Sequence, residues 1–180
     1  MELVVVRQES SDRQWLDNVY PLYLHDLSEF EGSCYTLDSE GRWQPDYLPA
    51  WFELPGANAL LLSSSGERIG FALVGRRPFP YLSPDVDQRL SEFFVLRQYR
   101  RRGLAAEASR MVLERFPGAW ELEVVHGNHP ALRFWETRLQ SWSTGLSVEE
   151  GTTLTRFEFT ISGCELTPNQ RLQRTADAAR

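Results

Sequence analysis

The chain has 180 residues, 42% of them hydrophobic, and carries a formal net charge of −6 at pH 7. This length suits one domain with a full hydrophobic core, which we assign to residues 1–166, followed by a polar tail over 167–180. Net acidity argues against a general nucleic-acid binder, because that binding depends on neutralising phosphates.

Residue usage narrows the chemistry and the compartment. The sequence contains no lysine, which excludes a Schiff-base mechanism. Cys34 and Cys164 lie far apart without the spacing of metal ligands, so we expect reduced thiols and no metal. No apolar stretch approaches the ~18 residues of a membrane span, and the first residues do not resemble an export signal. We expect a cytoplasmic protein that does not bind membranes.

The first elements are a strand and a helix. Residues 3–6 form a β-branched run typical of a buried strand, and Ser11 with Gln14 has the spacing of a helix-capping box. Apolar residues follow at helical spacing. Pro21 lacks an amide hydrogen, so a kink or break is predicted over 17–21, with two shorter helices as one outcome.

The middle of the chain alternates between loops and strands. Residues 31–57 are predicted to be a loop with at most one helical turn, where acceptor contacts are expected. Turn residues 64–67 separate two apolar runs, which indicates a hairpin. The predicted strands are 59–63, 68–74 and 89–96, with a proline-rich loop over 76–84 before the last of them.

The second half contains two helices between strands. A helical period runs from Leu104 to Arg115 and ends at Pro117-Gly118, and a second helix starts at Asn128. Strands are predicted at 120–125, near 146–148 and at 152–161. The class is therefore α/β, with a mixed, largely antiparallel central sheet flanked by helices.

The segment Ser91–Ala105 joins a strand to a basic turn and to a helix that begins at Gly103. Such a helix start presents unpaired backbone amides and the positive end of the helix dipole to one point, and the small residues let an anion approach. This pattern favours a phosphate site.

Here the chain resembles the GNAT superfamily of acyl-CoA-dependent N-acetyltransferases. Arg100, Gly103 and Ala105 match its turn signature, Phe93-Phe94-Val95 matches the preceding strand, and a second match begins at Asn128 and continues through Ala131, Phe134 and Trp135. The resemblance covers about residues 58–140.

The resemblance implies the GNAT fold and acetyl-CoA as co-substrate. It assigns the pyrophosphate to the backbone amides of the turn and the pantetheine amides to the backbone at Val95. The residues that it places at the cofactor are Phe94, Val95, Arg100, Arg101, Arg102, Gly103, Leu104, Ala105, Ala106, Asn128 and Trp135.

One position departs from the family pattern. Trp135 stands where the family has a tyrosine that often protonates the departing thiolate, and an indole N–H is not a practical proton donor to sulfur. The proton donor is then a water or Tyr99, or no acid is needed, because a CoA thiolate leaves readily.

Transfer to an amine also needs a base, because a protonated amine must lose a proton before it attacks. Glu92, on the strand that flanks the thioester, is the first candidate, and Glu121, Glu123 and His126 are alternatives. The Val95 amide is assigned to stabilising charge that develops on the thioester oxygen.

The early helix also carries acidic and aromatic residues. We interpret them either as a surface that attracts a cationic amine or as part of an ordinary amphipathic helix with a solvent-exposed acidic face. They are Tyr20, Tyr23, Asp26, Glu29 and Glu31.

The predicted function is transfer of an acetyl group from acetyl-CoA to a primary amine of a small molecule or peptide. A catalytically inactive CoA-binding or regulatory domain is the alternative, and an RNA-contacting module is disfavoured by the acidic charge. The oligomeric state is left open, a homodimer included.

Overall fold

The computed structural model describes residues 1–31 and 35–163, except for the side chain of Glu31. Cys34, Cys164 and the tail over 167–180 lie outside the described residues. The helices are α1 (Ser11–Glu31), α2 (Leu104–Arg115) and α3 (His129–Trp142), with short 3-10 helices at Leu48–Phe52 and Arg97–Tyr99. The strands are β1 (Glu2–Val5), β2 (Thr36–Leu37), β3 (Trp43–Gln44), β4 (Ala57–Ser64), β5 (Glu67–Arg76), β6 (Gln88–Val95), β7 (Gly118–Val125), β8 (Thr144–Glu150) and β9 (Leu154–Ile161).

Seven strands form one sheet in the order β1-β4-β5-β6-β7-β9-β8, and β2 pairs with β3 separately. Every neighbouring pair in the large sheet is antiparallel except β6 and β7. The predicted α/β class with a mixed, largely antiparallel sheet is confirmed.

Two hydrophobic clusters cover the two faces of the sheet, because successive strand residues point to opposite sides. Leu16 and Leu24 of α1 pack with Leu73 on one face. On the other face, Val112 of α2 and Leu139 of α3 pack against the remaining strand residues. The sheet is therefore a middle layer between α1 and the α2–α3 pair.

Helix α1 differs from the prediction in two places. It runs without interruption through Pro21, whose exposed position puts the ring on the solvent side. Packing of the opposite side against the sheet, with Leu16 and Leu24 fully buried, offsets the missing hydrogen bond. The N-cap is Ser10 and not Ser11, since the Ser10 hydroxyl accepts from the Arg13 amide at 3.3 Å.

The β4–β5 hairpin is confirmed and turns at Ser65-Gly66, where both φ angles are positive, at 52° and 80°. Two positive φ angles are the signature of a type I′ turn, which matches the twist of the strands. In its described part, the 31–57 segment contains one 3-10 helix and the two-residue strands β2 and β3, close to the loop that was predicted.

The end of β6 is held very close to β5. Gly70 lies opposite Val95, and a Cβ atom on Gly70 would lie 2.0 Å from the Phe94 carbonyl oxygen. Further back, β6 has an extra residue at Ser91, since Leu73 pairs with Glu92 and the next residue of β5 pairs with Leu90. This bulge changes the direction of β6 just before its last residues.

Replacing Gly70 with alanine should push the end of β6 away from β5, because the new methyl group meets backbone rather than a flexible side chain. We expect a loss of about 2 kcal/mol in the free energy of unfolding, measured by urea denaturation. Gly163→Ala is the control, because its Cβ meets only Pro117 side-chain atoms at 3.6 Å. Equal stability of the two variants would contradict the close approach.

Candidate active site

Strands β6 and β7 separate partway along their length. Their parallel pairing covers Gln88, Arg89 and Leu90 of β6, opposite Trp120 to Leu122 of β7. In the described residues the two strands have no pairing beyond this point, although β6 continues to Val95 and β7 to Val125. A gap therefore opens between them.

Two cavities open into this gap. The larger, of about 960 Å³, extends to the start of α2, and the smaller, of about 290 Å³, lies where the strands begin to separate. The residues that line both are Tyr23, Leu27, Phe93, Asn128, Ala131 and Trp135.

The backbone at Val95 faces the gap. Ile69 accepts a hydrogen bond from the Leu96 amide at 2.9 Å, and antiparallel strands alternate between bonded and non-bonded pairs. Val95, opposite Gly70, is therefore in a non-bonded pair and turns its backbone groups away from β5. The Val95 carbonyl oxygen accepts a hydrogen bond from Arg100 Nε at 2.7 Å. The Val95 amide, which also faces away from β5, points into the gap.

The start of α2 is a cradle of unused amides. Arg101 and Gly103 have positive φ angles, 62° and 80°, and the described part of the chain provides no acceptor for the five amides from Arg101 to Ala105. Alternating backbone conformations of this kind aim several N–H groups at one point. A Cβ atom on Gly103 would meet nothing within 4 Å, so the space beside this residue is open.

The cradle ends at Ala106, whose amide donates to the Gly103 carbonyl at 3.0 Å. Arg101 and Ala105 line the larger cavity directly, whereas Arg102, Gly103 and Leu104 are next to them in the chain but not in its wall. The arrangement suits an anion with more than one negatively charged oxygen.

The backbone amide and the side chain of Arg100 both form hydrogen bonds within the protein. Its amide donates to the Arg97 carbonyl, and its guanidinium reaches Asp26 Oδ2 at 2.5 Å as well as Val95. Burial opposes the charge on Asp26, but hydrogen bonds from Arg97 and Arg100 outweigh this and lower the pKa of its carboxyl group. Arg100 therefore connects α1, the end of β6 and the cradle.

Of the two interpretations of the acidic and aromatic residues on α1, the ordinary amphipathic helix agrees with the positions of Tyr20 and Tyr23. Tyr20 and Tyr23 are buried against the sheet, 2% and 8% exposed, because they lie on the apolar side of the helix. Asp26 is neutralised by the two arginines. Glu29 is exposed on the rim of the larger cavity, and the Glu31 side chain lies outside the described part.

Glu92 lies in the wall of the smaller cavity, directly after the bulge in β6. Its carboxyl group has no ion pair or hydrogen bond with any described residue. Glu92 is half-buried, and desolvation raises the pKa of this group from its ordinary value of 4.5 to about 8. Burial, followed by the charge of Glu92, also raises the pKa of the Tyr20 hydroxyl.

The other carboxylates considered as bases are already paired. Glu121 is fully buried and accepts from the Ser83 amide at 3.1 Å and the Ser83 hydroxyl at 2.6 Å. Glu123 accepts from Arg156 Nη2 at 2.6 Å and from Arg89. Burial would raise the pKa of Glu123, but these two arginines lower it.

His126 and Tyr99 lie away from both cavities. The His126 Nε2 atom is buried without a partner among the described residues, and its ring lines neither cavity. The Tyr99 hydroxyl donates to Glu67 at 2.9 Å on the outside of the sheet, also away from the cavity walls. Neither side chain is placed to exchange a proton in the gap.

Helix α3 provides the facing wall. Asn128 caps the helix by accepting from the Ala131 amide at 3.2 Å, and it also lines both cavities. Trp135 is 6% exposed and packs edge-on against Phe93, with ring centroids 5.6 Å apart. The indole therefore fills space between α3 and β6.

The described residues contain no group of three or more histidine, cysteine or acidic side chains suited to a metal ion. None of the helices in this part of the chain combines the length and apolar character needed to cross a membrane.

The fold and cleft define a class: an α/β protein whose sheet opens between two parallel strands beside a helix start with unbonded amides. A profile of the acetyltransferase (GNAT) family matches residues 21–139, and the chain belongs to this family. A search of curated proteins finds no match to the sequence.

Solved structures share the fold at low identity. An acetyltransferase from Thermus thermophilus is 17% identical with a TM-score of 0.54, over 89% of this chain and 98% of that one. A GNAT-family acetyltransferase from Listeria monocytogenes is 13% identical with a TM-score of 0.55, over 89% and 96%. A GNAT-family protein from Bacteroides thetaiotaomicron is 12% identical with a TM-score of 0.58, over 99% and 95%.

The raised pKa of Glu92 should make stability depend on pH. The folded state holds this proton more tightly than the unfolded chain, so the stabilisation is complete below pH ~4.5 and is lost as pH rises through about 8. We expect the free energy of unfolding of the wild type to fall relative to Glu92→Gln by roughly 2–4 kcal/mol across this interval. Parallel urea titrations of both proteins at several pH values measure this difference.

A constant difference between the two proteins at every pH would contradict the burial of Glu92. Tyr20, whose pKa is raised, stays protonated over this interval and adds no slope. Glu136→Gln, an exposed change on α3, is the matched control and should leave the pH dependence unchanged.

Proposed function

We propose that this protein is an acetyl-CoA-dependent N-acetyltransferase that acetylates a primary amine. The observation that carries the proposal is an unpaired carboxyl group, Glu92, in a gap that leads to a cradle of unused amides. Membership of an acetyltransferase family supports the same reaction class.

The residues of the cleft fit acetyl-CoA. The five amides from Arg101 to Ala105 would hold the diphosphate, with Ala106 left out because its amide is already bonded. The pantetheine arm would enter the larger cavity between β6 and α3, with Phe94 and Val95 on one wall and Asn128 and Trp135 on the other. When bound, acetyl-CoA supplies an acetyl thioester whose thiolate has a pKa low enough to leave without a strong acid.

Glu92 would accept the proton of the amine. A free glutamate is a poor match for an ammonium of pKa ~10, because the proton transfer is uphill by about six pKa units. A carboxylate of pKa about 8 reduces that gap to roughly two units. A cationic acceptor next to Glu92 would also favour the ionised form that serves as the base.

The Val95 amide would stabilise the reacting oxygen. It points into the gap without a partner from β5, and it is fixed in place by the close packing at Gly70. A fixed donor needs no reorganisation when negative charge develops near it. Arg100 would act indirectly, because it holds the Val95 carbonyl and so orients this peptide group.

One observation favours the alternative of a CoA-binding domain without catalysis. Trp135 occupies the place of the tyrosine acid, and the Tyr99 hydroxyl is bonded to Glu67. Tight CoA binding with no release of thiol for any amine would support this alternative.

The cradle gives a test of CoA binding. Gly103→Glu introduces a negative charge and a side chain where φ is +80°, in the same turn as the amides. We expect at least about a hundredfold loss of CoA affinity by calorimetric titration, because charge repulsion and backbone strain add. Arg101→Ala should cost less than about tenfold, since it leaves the amides in place. Similar losses would argue that side chains, not amides, hold the diphosphate.

Glu92→Gln tests catalysis. In an assay of thiol release from acetyl-CoA with a panel of primary amines, we expect wild-type turnover and a roughly hundredfold drop in kcat for the variant, since the base is removed at nearly constant shape. CoA affinity should not change.

The pH profile gives a second readout from the same proteins. Wild-type activity should rise with pH toward about 8, and this limb should disappear in Glu92→Gln. Glu136→Gln should behave as wild type. Unchanged turnover in Glu92→Gln would remove this residue from the mechanism.

A further inference from the structure

The smaller cavity, which we take as the acceptor side of the gap, is lined by apolar and polar groups in similar measure. Aliphatic side chains on α1, β7 and β9 form much of its wall, for example Leu27, Val125 and Leu154. At about 290 Å³ it is at the lower end of the volumes that hold small molecules. In the described residues the charged side chains of its wall are Arg89, Glu92 and Glu123.

Two of these three charges compensate each other. Arg89 contacts Glu123 through Nη2 and lies 3.5 Å from Glu121 through Nη1. Glu123 also accepts two hydrogen bonds from Arg156, at 3.0 Å from Nε and at 2.6 Å from Nη2. The guanidinium of Arg89 is therefore shared between two carboxylates and is not available to a third.

Glu92 is then the one charged group of this wall without a partner in the described part of the chain. An ammonium group would supply the missing charge. A carboxylate on the same acceptor would lose its water shell without gaining a cation, and it would be repelled by Glu92. A second ammonium would also be left without a free carboxylate.

From this charge pattern we propose that the acceptor is a small primary monoamine with an apolar body and no carboxylate. This inference rests on the proposed function, because it concerns the acceptor of the same reaction. It assigns Glu92 to the amine and the aliphatic residues Leu27, Val125 and Leu154 to the body, and it makes the Arg89–Glu123 pair a specificity determinant that rejects amino acids.

The test uses wild-type enzyme and acceptors matched in size. We would measure kcat/KM by thiol release for phenethylamine, L-phenylalaninol and L-phenylalanine. Phenylalaninol keeps the α-substituent but replaces the carboxylate with a neutral hydroxymethyl group. Butylamine and putrescine form a second pair, which differs by one amine.

We expect kcat/KM for phenethylamine and phenylalaninol to exceed that for phenylalanine by at least about thirtyfold. For butylamine it should exceed the value for putrescine by about tenfold. Phenylalanine turned over as fast as phenylalaninol would overturn the inference and leave the transferase proposal intact. Preference for putrescine, or activity with peptide amines alone, would overturn it in the same way. Thiol release with none of these amines and with no peptide amine, while CoA binds, would remove both proposals.

Glu123→Gln adds an independent arm. This change removes one of the two carboxylates that pair with Arg89. The ratio of kcat/KM for phenylalaninol to kcat/KM for phenylalanine should therefore narrow by at least about threefold. Glu136→Gln on the surface of α3 is the matched control and should keep the wild-type ratio. A ratio that does not change in folded Glu123→Gln protein would count against Arg89 as the determinant.

Discussion

The separation of β6 from β7 is the constraint on which the rest of the site depends. Three positions of parallel pairing bring the strands together, and the bulge at Ser91 changes the direction of β6 directly afterwards. Because the strands then diverge, the Val95 peptide keeps an unused amide and Glu92 gains a cavity in front of it. The close contact at Gly70 keeps the end of β6 on β5 while the other side stays open.

Charge is distributed around this gap in a consistent way. Asp26 is matched by Arg97 and Arg100 at one end, and Glu123 is matched by Arg89 and Arg156 at the other. Among the described residues at the gap, the amides of Val95 and of the start of α2 have no partner, and neither has the carboxyl group of Glu92. The amides prefer an anion and the carboxyl group prefers a proton or cation, and they open on different parts of one gap. That separation is what a two-substrate transfer between an anionic carrier and an amine requires.

Much of the site could be predicted because its parts are local in sequence. The turn from Arg100 to Ala105 is a strand, a glycine and a helix start within a few residues, and its unused amides follow from helix geometry alone. Glu92 could be singled out because it precedes this turn on the same strand. The predicted break in α1 at Pro21 is absent, since a local period does not reveal how strongly the sheet holds one side of a helix.

The sequence by itself determined the class, the order of strands and helices along the chain and the glycine turn before α2, and it made Glu92 the first choice of base. Only the tertiary structure decided which charges are neutralised. Arg97 and Asp26 are 71 residues apart, and Arg89 and Glu123 are 34 apart, so no spacing rule predicts that they pair. The pKa of Glu92 depends in the same way on burial by elements distant in the chain. Desolvation and ion pairing act through space, whereas hydrophobic periods and helix caps act along the chain.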